Sequence, residues 1–243
     1  MKAYLFIFFL ILTFSACSSL KRTKVLLPAS LYNMKEIKKN IYIEIGMSEE
    51  KQQQLLKEIP KAKNMLRKVY GKVKTSPIIY ACSTEVCAEN FGLEGKIRAV
   101  RLLGYLLLKP KELISTTIAH EWSHEELYQR VGGFYPWYRE IPIWFDEGLA
   151  TLVMQKHPRY DEEAWERIVT EKLFYPSKEE LVTLIQWGNA IENYLCNDEI
   201  VVSYATARHI VNLWYEKVGQ KGLVQILESI KDGKQFKKLY SLR

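Results

Sequence analysis

Thr116–His124 reads TTIAHEWSH and places His120, Glu121 and His124 in the order HExxH. On a helix the spacing of four sets both imidazoles on one face about a turn apart, with the Glu121 carboxylate within reach of a water on a shared metal. Neutral imidazoles suit a borderline ion such as zinc, which lowers the pKa of a bound water towards neutrality, and the neighbouring carboxylate can take the proton released. The flanks favour a helix. Leu113, Ile114, Thr117, Ile118 and Trp122 recur at helical spacing, Pro110 stands where a first turn tolerates it, and Gly132–Gly133 closes the segment. The competing reading is an ordinary core helix whose histidines are satisfied by neighbours.

A hydrolytic zinc site needs a third protein ligand and an open position for water. The metzincin pattern, with a Gly and a third His at fixed spacing, is excluded, because Leu127 and Arg130 stand there. Downstream, Ile141–Ala150 reads IPIWFDEGLA, a second predicted helix carrying Glu147 beside Gly148 and Ala150. A glycine inside a helix costs about 1 kcal/mol against alanine, which points to another backbone passing close to Gly148. The expected neighbour is the HExxH helix.

HEWSH followed by PIWFDEGLA resembles the gluzincin zinc metallopeptidases, the thermolysin-like clan, and within it the peptidase MA-like family. The resemblance implies zinc held by His120, His124 and Glu147, with Glu121 as general base. Asp146 stands where such relatives often carry Asn, and it is a candidate partner for the second nitrogen of a ligand histidine. The C-terminal stretch from Ser203 to Tyr240 also resembles the peptidase MA-like tail. That match puts Tyr204 in the place of the tyrosine that steadies the oxyanion, and His209 is a possible alternative donor; packing roles are open for both. The likeness spans roughly residues 105–240. It implies that the strand before the zinc helix, Tyr105–Leu108, is a sheet edge open to substrate backbone, or else a plain core strand.

Met1–Cys17 reads MKAYLFIFFLILTFSAC: one lysine, a short apolar run, then small residues ending in cysteine. The ending resembles the lipobox of bacterial lipoproteins. It implies a signal peptide over residues 1–16, lipidation of Cys17, and export to the cell envelope, at the outer membrane if the source is Gram-negative. An uncleaved anchor helix is the alternative. Residues 17–35 then read as lipidated cysteine and tether, with Lys21, Arg22 and Lys24 either touching anionic headgroups or simply solvated.

Residues 36–243 are expected to form a single domain, since 48% hydrophobic and 12% aromatic composition supplies one substantial core. The formal charge of +7 comes from lysines and arginines spread along the chain, which argues against nucleic-acid binding. Cys82 and Cys87 lie in the turn-like YACSTEVCAENFG, and an exported location permits a disulfide between them; with no second pair nearby, a zinc knuckle is the weaker reading. Cys196 is left over and expected to be buried.

Strand signals concentrate in residues 36–110, at Ile41–Ile45, Pro77–Ala81, Arg98–Leu102 and Tyr105–Leu108. A helical pattern over Met47–Tyr70 contains Pro60, expected to kink or divide it. Residues 111–243 read as helical, with helices over Asp161–Glu171, Lys178–Gln186, Val201–Val218, Lys221–Ile230 and Lys234–Tyr240, and with Gly132–Arg139 as a stiff aromatic loop that walls a pocket or caps the core. The fold class is therefore α+β: a small N-terminal mixed sheet, then a mainly helical part, as the thermolysin-like resemblance implies. The function expected is a zinc-dependent peptidase acting on peptide or protein substrates at the envelope. The alternative is an envelope scaffold or binding lipoprotein that keeps the zinc site with little hydrolysis. No GxMEN-like stretch is present, which favours an endopeptidase over an aminopeptidase.

Overall fold

The computed structural model describes residues 21–95, 99–102, 104–197 and 199–241. The expected signal peptide, Cys17 and Arg98 lie outside the described residues. Within them the chain is α+β and divides into two compact units, residues 21–60 with 76–121 and residues 61–75 with 122–241.

The first unit is built on a five-stranded mixed sheet in the order β1-β2-β3-β5-β4. Its strands are β1 (Met34–Lys38), β2 (Ile41–Glu44), β3 (Ile78–Ala81), β4 (Ala99–Leu102) and β5 (Tyr105–Leu108). The three inner strands run parallel, and the outer two pair antiparallel to their neighbours. A parallel step needs a crossover, and helix α1 (Glu49–Tyr70) supplies it between β2 and β3. This helix runs through Pro60 as one element, so the proline does not divide it.

Strand β5 is not the open edge expected from the resemblance. Leu106, Leu107 and Leu108 are all buried, and β5 lies between β3 and β4. A strand covered on both faces wants the unbroken apolar run YLLL rather than an alternating one. The edges are β4, half-buried along its whole length, and β1, with Lys35 and Lys38 exposed.

Residues 23–35 are not a free tether either. Two 3-10 turns, Thr23–Leu26 and Ala29–Tyr32, lead into β1, and Val25 is buried with Met34, Tyr80, Phe91 and Leu107. The stretch around the cysteines is also more ordered than a turn. Thr84 caps the short helix α2 (Glu85–Asn90) by accepting from Cys87 N–H, and a disulfide joins Cys82 to Cys87 with their Cα atoms 5.5 Å apart. Glu44 accepts from the amides and hydroxyls of both Ser83 and Thr84, at 2.7–2.9 Å.

The second unit is helical. It contains α4 (Phe134–Glu140), α5 (Ile143–Val153), α6 (Glu162–Thr170), α7 (Leu184–Asn193), α8 (Val202–Lys231) and α9 (Phe236–Ser241), with most of α3 (Ser115–Arg130). Helix α8 breaks at Gly219, whose φ of 63° and ψ of −173° are non-helical, where the sequence places its glycine turn. The segment expected to be helical over Lys178–Gln186 is instead a 3-10 turn, Lys178–Leu181, followed by α7. Capping boxes at Ser177/Glu180 and Thr183/Gln186 start each afresh. Of the expected aromatic loop Gly132–Arg139, the part from Phe134 onward is helix, and only the two glycines stay outside it. Gly133 takes φ of 98° at its cap, and Pro136 falls in a first turn that needs no N–H. Cys196 is half-buried, not buried.

The neighbour that Gly148 admits is α8, not the HExxH helix. A β-carbon at Gly148 would lie 2.4 Å from the Ala207 carbonyl oxygen and 2.7 Å from Val211 Cγ2. Buried Arg208 strengthens the same junction by donating to the carbonyls of Thr151, at 2.6 Å, and Gln155, in the last turn of α5 and just past it.

Two outcomes follow. Because the Ala207 oxygen is backbone and cannot rotate away, Gly148→Ala should cost about 2–3 kcal/mol in urea unfolding. Burial alone would raise the Glu44 pKa, but the bonds from Thr84 and Ser83 together outweigh it and hold the carboxyl below its usual 4.5. A lowered carboxylate stabilises the fold above the unfolded-state value, and that contribution disappears as pH falls through the folded one. Glu44→Gln should therefore lower the urea midpoint at neutral pH, and the gap from wild type should close in acid below 4.5.

Candidate metal centre

Helix α3 carries HEWSH, and its rotation is set by the face turned away from the histidines. Trp122 and Glu126 lie roughly half a turn round the helix from the His120–His124 pair. Trp122 donates its indole N–H to Thr75 Oγ1 at 2.8 Å. Glu126, fully buried, accepts from Lys74 N–H at 2.9 Å, Thr75 N–H at 3.0 Å, the Thr75 hydroxyl at 2.6 Å and Arg130 Nε at 2.7 Å. Arg130 also donates to the carbonyls of Tyr70 and Lys72 and lies over the Tyr70 ring. The Tyr70 phenol, 2.9 Å from Ser123 Oγ, has its pKa pushed up by burial and stays neutral. Segment 70–75 thus grips one side of α3 and leaves the other to the imidazoles.

Helix α5 supplies the carboxylates. Asp146 Oδ1 lies 2.6 Å from His124 Nδ1, and its other oxygen accepts the Trp137 indole N–H at 2.7 Å. An ionised carboxylate can only accept, so Nδ1 of His124 donates to it, and in the neutral imidazole that a metal requires Nε2 then keeps its lone pair. That lone-pair nitrogen is the one facing Glu147, 3.7 Å from Oε2. His120, His124 and Glu147 each offer one ligand atom, and these atoms all lie within 4.8 Å of one another. Two ligand atoms on a tetrahedral zinc stand about 3.3 Å apart, so small side-chain movements suffice to close the set on an ion. Two imidazoles and one carboxylate are a donor set for a first-row divalent ion, zinc and iron(II) among them, and the three side chains are half-buried, which keeps the place reachable from solvent.

The structure therefore brings together His120, His124 and Glu147, with Asp146 against His124. Glu121 is half-buried and directly follows His120 on α3. Tyr204, near the start of α8, packs its ring against Trp187 and Tyr160, with centroids 4.9 and 5.7 Å away. His209 is engaged elsewhere on α8: Nδ1 lies 2.9 Å from Glu162 Oε2, and the ring stacks on Trp165. His157 stacks on Tyr160 and lies outside regular structure.

Trp137 is the residue the sequence reading missed. It was grouped with its aromatic neighbours as pocket wall or core cap, whereas Phe134, Tyr135 and Tyr138 are exposed and Trp137 alone reaches Asp146. Nothing in the sequence separates it from the three neighbouring aromatics; only the fold, by burying Asp146 beside it, does so.

No protein-family model matches the chain, and no curated protein matches it.

Trp137→Phe keeps the ring and removes the donor to Asp146. It should weaken zinc binding about tenfold in competition against a chromogenic chelator, and Asp146→Ala should weaken it further, with helical content unchanged in both.

Proposed function

We propose that this chain is a zinc-dependent peptidase of the gluzincin type, acting on peptide or protein substrates at the cell envelope. The observation that carries the reading is the convergence of His120, His124 and Glu147 from two helices, with the Asp146 carboxylate fixing which nitrogen of His124 faces Glu147. A divalent ion held there would supply Lewis acidity towards a peptide carbonyl and towards an attacking water. The protein's own residues would do the rest. Glu121 takes the proton of the attacking water on its carboxylate and passes it to the departing amine. Asp146, steadied by Trp137, keeps the hydrogen on His124 Nδ1 and holds the ring in one orientation. Tyr204 is the proposed donor to the oxygen that gains charge as the carbonyl is attacked.

The envelope location rests on the apolar N-terminal run and the FSAC ending at Cys17, and the Cys82–Cys87 disulfide supports an oxidising compartment. Catalysis and location are separate parts of the reading, and each has its own support.

Glu121→Gln should keep one zinc per chain and lose about 10²- to 10⁴-fold in turnover on a mixed peptide library, whereas His124→Ala should lose the zinc. A glutamine variant that cleaves at the wild-type rate overturns the role given to Glu121. A wild-type protein that holds zinc and releases no fragments overturns the peptidase and leaves a scaffold.

A further inference from the structure

The first unit exposes three leucines, on and beside its two 3-10 turns, that no part of the proposed chemistry uses; they are called its apolar tip below. Leu26 is 54% exposed, Leu27 50% and Leu31 67%. Single exposed leucines are ordinary, but three within six residues form a patch. The turns that carry them are tied down. Arg22 donates to the Gly92 carbonyl, Lys24 Nζ to the Asn90 carbonyl at 2.8 Å, and Val25 is buried in the core of the unit. The cations nearest the tip are thus used in docking the segment, and the leucines are held outward. Beside the tip runs the edge strand β1, from which Lys35 and Lys38 project into solvent, with Lys39 following. From residue 21 to residue 39 the chain has six lysines and arginines against one acidic residue.

The sequence that precedes the tip argues for what covers it. Residues 3–14, AYLFIFFLILTF, are uncharged and almost wholly apolar, and Leu26 follows Phe14 by twelve positions. Fully extended, that stretch spans at most roughly 40 Å, so a bilayer holding the N-terminal residues, by acylated Cys17 or by the apolar run itself, lies within reach of the tip. A leucine side chain gains about 1.5–3 kcal/mol on leaving water, and exposed lysines next to the patch complement anionic headgroups.

We propose that Leu26, Leu27 and Leu31 form a membrane-dipping tip through which the first unit rests on an anionic lipid surface. This rests on the envelope half of the functional reading and is independent of the metal centre. Anchoring by the N-terminus alone would leave the domain swinging on its tether; a second apolar contact fixes the orientation of the first unit to the bilayer.

The test uses the full chain in vesicles of phosphatidylethanolamine and phosphatidylglycerol, with a photoreactive benzophenone amino acid at position 27, at position 31, or at position 185 as an exposed control. Irradiation and mass spectrometry then identify the partner. Lipid adducts at positions 27 and 31 should exceed those at 185 at least fivefold, and the excess should shrink in vesicles of phosphatidylcholine alone. Equal yields at all three positions, or adducts from 27 and 31 to protein, including residues 1–20 of the same chain, overturn the tip while leaving the anchor in place. A chain that does not partition with the vesicles at all overturns both the tip and the envelope location.

Discussion

One contact without a side chain governs the helical unit: α5 lies against α8 at Gly148, where there is no room for a β-carbon above the Ala207 oxygen. Glu147 and Asp146 are the two residues before that glycine, so their directions are set by how α5 meets α8. Arg208, one residue past Ala207, then secures carbonyls at the far end of α5. Approach and end-anchoring together leave α5 little freedom to turn about its axis, and about 100° of turn per residue makes that freedom costly for a ligand. Packing of Phe145, three residues before Gly148 and on the same side of the helix, against Trp214 of α8 and against Phe236 extends the contact.

Helix α3 is fixed by a different force. Its grip comes from polar atoms: a buried carboxylate at Glu126 receives two backbone amides, a hydroxyl and a guanidinium. Removing water from such a group is expensive unless all its lone pairs are used, and here they are. Since the donors Lys74 and Thr75 are backbone or short-chain groups, the geometry is held more tightly than a surface ion pair would hold it. One ligand helix is thus positioned by close apolar contact and the other by a saturated buried anion.

How much of this was legible depended on whether the determining physics was local. HExxH and the Glu-Gly that follows it are local patterns, and the helices they predict are present as α3 and α5. Gly148 announced a close neighbour but could not name it, because any backbone satisfies a missing β-carbon; the HExxH helix was the nearer in sequence and α8 the actual one. Pro60 does not divide α1, which continues through it. Of the two readings open for strand β5, the resemblance favours the sheet edge, whereas its own three consecutive leucines favour the core strand that the structure contains. Strand β1 was missed because MKEIK is a charged edge strand with little apolar signal, and α4 because two glycines and a proline mask a helix whose cap and first turn use them. Asp146 could be nominated from its position beside Glu147; Trp137 could not, since which of four aromatics turns inward is decided by the fold.

The two kinds of restraint also determine how the centre can respond to an ion. Ligand sets that assemble only around metal couple binding to folding, and much of the binding free energy is then consumed in ordering the chain. Here the restraints lie outside the ligand atoms: Gly148 against Ala207, Glu126 among its donors, and Asp146 between Trp137 and His124. None of these contacts uses the atoms that would meet the ion, Nε2 of His124 and the Glu147 carboxylate among them. Preorganisation of this kind lowers the reorganisation needed on binding, and it confines the remaining adjustment to side-chain torsions across a gap of 3.7 Å between Nε2 and Oε2. Affinity for an ion would then follow the quality of the outer contacts more than the stability of the whole chain, because an ion held there would complete an arrangement that packing has already fixed.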